Sequence, residues 1–101
     1  MRLGVLGPCL ALALAGCGGD PNLAKLERAC ETTSNLGPEI CSCVARKAKA
    51  ELSEDAFAFL AASMAGEAEA AAALQGRLTP TDGLEAGLFM TRAPQECVVE
   101  N

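Results

Sequence analysis

The chain predicts an all-α fold: a small bundle of about four helices stapled by two disulfides, behind a short apolar N-terminal segment. Three observations point there. Apolar residues recur at spacings of three and four, as in Leu23, Leu26 and Cys30, or Phe57, Leu60 and Met64, which is helical periodicity. Period-2 alternation and β-branched runs are missing, so no strand is expected. Four cysteines, Cys30, Cys41, Cys43 and Cys97, lie within the helix-patterned part of the chain.

Each helix has its own start and stop signals. Asp20-Pro21 reads as an N-cap with Pro at the first helical position, opening a helix that fades by residues 32–35. Gly37-Pro38 restarts the chain, and a second helix runs from Pro38 to about Ala50 with Ile40, Val44 and Ala48 as its apolar stripe. Arg46, Lys47 and Lys49 cluster near its end, where cations suit the helix dipole. That placement favours a solvated helix end over a basic docking patch.

Ser53 reads as the next N-cap, with Glu54 and Asp55 in the first turn. Phe57, Leu60 and Met64 form the third stripe, and Phe59 lies off it. Gly66 sits inside this run and marks a kink or a break. Residues 68–74 are Ala-rich, and Gly76 is a natural stop. Thr79-Pro80-Thr81-Asp82 opens the fourth helix with a cap, a first-position Pro and an acid three residues on. Its inward face is expected to carry Leu84, Leu88 and either Met90 or Thr91. Pro94 is expected to end it, Cys97 to pin the tail, and Val98 and Val99 to pack locally.

The N-terminus carries an address. Arg2 supplies a positive start, residues 3–15 an apolar run too short for the roughly 20 residues of a membrane span, and Ala15-Gly16 the small residues before a cut. Leu14-Ala15-Gly16-Cys17 resembles the lipobox of bacterial lipoproteins. The resemblance implies diacylglycerol on the Cys17 sulfur and cleavage ahead of it. It therefore divides the chain into a signal peptide at 1–16, a lipidated tether at 17–21 and a small disulfide-linked helical domain at 22–101. It also implies a protein facing the periplasm. By the sorting pattern of the lipoproteins it resembles, Gly18 in place of Asp after the cysteine implies the outer over the inner membrane.

Composition narrows the function. The expected mature part is 85 residues, one small domain. Arg2 is the one charge removed, so the net charge goes from −5 to −6. An acidic chain without a basic run argues against nucleic-acid partners. No His is present, which removes Ser-His-Asp and Cys-His catalysis and imidazole metal ligation. Ala-rich sequence buries little area per side chain, so a domain of this size needs covalent staples.

Cys9 leaves with the signal and Cys17 takes the lipid, which leaves an even four for two disulfides. A Cys41–Cys43 bond would join positions about 200° apart on a helix and is disfavoured. Two pairings remain. Mirror counting about a turn at residues 34–37 sets Cys30 opposite Cys41, with Cys43–Cys97. Helical side chains lean toward their own N-terminus, which shifts the match deeper, to Cys30–Cys43 with Cys41–Cys97. The lean argument makes the second pairing the expectation.

Glu54/Asp55 and Glu67/Glu69 have the spacing of helix starts and solvated faces, not of two carboxylates converging in a cleft. Cys41-Ser42-Cys43 near a helix start could favour thiolates or soft metals, but the Cys-x-x-Cys motif and its βαβ setting are missing. Met64 and Met90 read as core filling. No catalytic residue, metal site or cofactor is expected. The pattern of Cys30, then Cys41-x-Cys43 opening a helix, then Cys97, is similar to small cysteine-paired α-helical proteins of the Gram-negative envelope, and implies no active site. The expected role is non-enzymatic: binding or scaffolding for another envelope protein, held to the membrane through Cys17. The alternative is a thiol redox or metal-handling protein using Cys41 and Cys43.

Overall fold

The structure, a computed structural model, describes residues 20–100. Among these residues five helices follow in order: α1 Pro21–Thr33, α2 Pro38–Glu51, α3 Glu54–Met64, α4 Ala68–Gln75 and α5 Pro80–Glu100. The fold is all-helical, as expected. Five replace about four because Gly66 breaks the third run. At φ +76° it ends α3 in a Schellman turn, in which the Glu67 N–H donates to Ala62 O and the Gly66 N–H to Ser63 O.

The helix starts follow the capping chemistry. Asp20 Oδ1 accepts from the Asn22 N–H at 2.8 Å, and Ser53 Oγ from the Ala56 N–H at 3.1 Å. Thr79 and Asp82 form a reciprocal box: the Asp82 N–H donates to Thr79 Oγ1 at 3.1 Å, and the Thr79 N–H to Asp82 Oδ2 at 3.2 Å.

Helices α1 and α2 form an antiparallel hairpin. Helix α3 packs on α1, α5 packs on α2 and α3, and α4 packs on α3. The core gathers Leu26 from α1, Val44, Ala45 and Ala48 from α2, Leu52, then Ala56, Phe57, Leu60 and Ala61 from α3, and Phe89 and Ala93 from α5. Leu23, Ile40, Met64 and Met90 pack against it partly buried. The small residues let the helices approach closely, and Phe57 and Phe89 supply the bulk.

The disulfides correct the expected pairing. Cys30 is bonded to Cys41 (Cα–Cα 5.6 Å) and Cys43 to Cys97 (Cα–Cα 5.9 Å). The side-chain lean was given too much weight. A two-residue step moves about 3 Å along a helix but also turns about 200° around it. The face therefore decides, and α2 turns Cys41 toward α1 and Cys43 toward α5. Mirror counting gave the right partner because a disulfide tolerates the small axial offset.

Helix α5 corrects two more expectations. It does not stop at Pro94 but runs on to Glu100 with Pro94 inside it. Proline removes one backbone bond, that to Met90. The flanking Phe89, Ala93 and Cys97 are all buried and hold the helix in place on both sides. Its inward face is Ala86, Phe89, Ala93 and Cys97. Leu84 and Leu88 point out, 63% and 56% exposed, and Thr91 is exposed too. Val98 and Val99 do not pack locally; they are 53% and 84% exposed. Cys97 is held by Cys43 and so fixes the rotation of the whole helix, which puts residues 84 and 88 on the opposite side.

Candidate functional site

The site-bearing features sort into three: the sulfurs, the charged surface and an open groove. All four downstream cysteines are buried, and each disulfide joins two different helices. Cys41 and Cys43 are thus held on opposite sides of α2 and cannot pair with each other in this arrangement. Cys17 and its lipobox lie outside the described residues.

The basic residues of α2 are spent inside the molecule. Lys47 Nζ lies 3.0 Å from Glu100 Oε2 and 3.6 Å from Glu96 Oε1. The hydrogen bond that Lys47 donates to Glu100, with the neighbouring Glu96 and Glu51 carboxylates, holds its pKa above the usual 10.5. Lys49 pairs with Asp20 at 3.0 Å, and Arg46 donates to Ser42 Oγ. Arg92 joins Glu51 at 2.9 Å and Glu96 at 3.2 Å, and its guanidinium lies 5.7 Å from the Phe89 ring centroid. The Lys47 and Arg92 pairs tie α5 to α2 at the surface, and Lys49 ties α2 to the start of α1.

The groove lies between α1 and the α3–α4 turn and has a volume of about 710 Å³. Pro21, Ala24 and Ala29 form its floor on one side, Met64 and Ala65 on the other. Lys25 closes one edge through its 2.8 Å pair with Glu67. Thr32 and Thr33 turn their hydroxyls back onto Ala29 O, at 3.1 and 2.7 Å. Arg28 also lines the groove, and it has no hydrogen bond or ion pair to any described residue. An apolar trough with one uncommitted guanidinium suits an occupant that carries a carboxylate.

Sequence reasoning missed this groove. Lys25 and Arg28 on one side of α1 were legible as cations in an acidic chain. Their facing wall was not, because it comes from how the end of α3 and the Gly66 turn lie beside α1. A second surface also went unread: the outer side of α5, where Leu84, Leu88, Thr91, Gln95, Val98 and Val99 form an uncharged, exposed stripe.

Among the described residues, no helix is long and apolar enough to cross a membrane. Comparison with protein-family models, with curated proteins and with solved structures found no match.

Proposed function

We propose that this protein is a lipoprotein of the cell envelope, anchored through diacylglycerol on Cys17 and facing the periplasm, with a non-enzymatic binding or scaffolding role toward another envelope protein. The observation that carries the reading is Leu14-Ala15-Gly16-Cys17, set three residues ahead of the Asp20 cap of α1. The oxidised framework supports it, since cross-helix disulfides belong to exported proteins. The outer side of α5 supports a binding role. It is the one long helix whose two opposite sides are both poor in charge, one turned into the core and one turned to solvent.

The outer membrane is the favoured location, because Gly18 follows the acylated cysteine. A second reading, thiol redox or metal handling by Cys41 and Cys43, needs those two sulfurs to act together. Their bonds to Cys30 and Cys97 keep them on separate faces, so no observation favours it.

Radiolabelled palmitate and membrane fractionation test the anchor. The parent chain is expected to take the label and sediment with membranes, and Cys17→Ser to do neither. An unlabelled parent, or a serine variant that still sediments with membranes at its usual mass, overturns the reading.

A further inference from the structure

Helix α4 poses a physical problem. It has eight residues, none of them buried. Isolated helices shorter than about 12–15 residues are marginal in water even when Ala-rich, and packing normally supplies the difference. Ala71 and Leu74, half-buried, turn toward α3. The opposite side carries Glu69, Ala72, Ala73 and Gly76 at i, i+3, i+4 and i+7, all exposed. Glu69 has no hydrogen bond or ion pair to any described residue.

The groove poses the complementary problem. It holds Arg28, a cation unpaired among the described residues, in a chain of net charge −5. It adjoins α4, because Glu67 both precedes that helix and lines the groove. Its α1 wall is 13 residues long, against eight in α4. A helix of eight residues is about 12 Å long, shorter than the α1 wall along which it would lie.

We propose that α4 of one copy of this chain lies in the groove of a second copy, with Glu69 of each pairing with Arg28 of the other. A two-fold axis satisfies both needs at once, since each molecule then gives one helix and receives one. The two ion pairs at the rim set orientation and register more than affinity. The affinity comes from covering Ala24, Met64 and Ala65 with Ala72 and Ala73. The inference goes beyond the lipoprotein reading and does not depend on it.

The test uses the full chain, co-expressed in two differently tagged forms, with a photo-reactive residue at Ala73. Irradiation is expected to give a product bearing both tags, with the cross-link mapped to residues 21–33 of the other copy. Arg28→Glu and Glu69→Arg each place like charges at the rim, which costs enough to lower the yield about tenfold or more. Combining the two substitutions restores opposite charges and recovers the product. Such recovery also shows that neither single change merely unfolds the domain. Four results would overturn the proposal: no two-tag product, a yield indifferent to either reversal, a combined variant that does not recover, or a cross-link made only to a different protein.

Discussion

Removing one disulfide at a time separates two very different clamps. The Cys30–Cys41 bond closes 11 residues within the first hairpin, and the Cys43–Cys97 bond spans 54. If a cross-link acts chiefly by restricting the unfolded chain, the short loop contributes about 2.8 kcal/mol and the long one about 4.2 kcal/mol. The folded structure points the same way. Cys30–Cys41 joins two helices that already share a four-residue turn, whereas Cys43–Cys97 fixes the end of α5 and with it Ala86, Phe89 and Ala93 in the core. Urea unfolding of Cys30→Ala/Cys41→Ala and of Cys43→Ala/Cys97→Ala is expected to rank the second about 1.4 kcal/mol less stable. A domain of this size has a total stability of roughly 4–12 kcal/mol, so the second variant loses a third of it or more. Thiol titration of each variant under denaturing conditions is expected to find none free among the remaining pair. Two free thiols in either variant would refute the pairing, and a reversed ranking would refute the view of α5 as a long-range clamp.

Four further outcomes follow from single residues. Phe89→Ala empties the largest fully buried side chain and is expected to cost about 3–5 kcal/mol in chemical denaturation, whereas Leu88→Glu, one residue earlier on the solvent side, stays within about 0.5 kcal/mol. Gly66→Ala meets no atom within 4 Å but must hold φ +76°, so thermal unfolding is expected to show a loss of about 1–2 kcal/mol from conformation alone. Lys49, with the Asn22 N–H, holds the Asp20 carboxyl below its ordinary 3.8. A depressed folded value means that stability is present above pH 3.8 and is lost as pH falls through the folded value; Asp20→Asn keeps the cap and is expected to flatten that part of an acid titration. Lys47 is shifted the other way, so its contribution is complete below pH 10.5 and fades as pH rises beyond it; Lys47→Met is expected to remove that alkaline loss.

The parts of the fold that rest on local chemistry were legible in the sequence. Asp20-Pro21, Ser53 and the Thr79–Asp82 box start helices because a side-chain oxygen within three residues satisfies an orphan N–H, and no distant contact can change that. Gly66 was legible as a kink or break, and only the tertiary placement of α4 decided between them. What failed was settled at long range. Leu84 and Leu88 looked like core because leucine normally is, yet the rotation of α5 is set by Cys97, 54 residues from its partner. Had Cys97 been taken as the reference, positions 93, 89 and 86 would have followed as the inward face at helical spacing. Pro94 read as a stop because local rules give proline that meaning; buried neighbours on both sides overrule the loss of one backbone bond. The groove was the least legible feature, since its walls meet only after α3 turns at Gly66.

The most direct measurement on the whole account is the mass of the N-terminal peptide of protein extracted from membranes and digested without reduction. The account predicts a peptide that begins at residue 17 and is heavier by its acyl groups, together with a cluster in which the peptide carrying Cys41 and Cys43 is joined to those carrying Cys30 and Cys97. A first residue other than Cys17, or a Cys17 found unmodified or bridged to another sulfur, would contradict it.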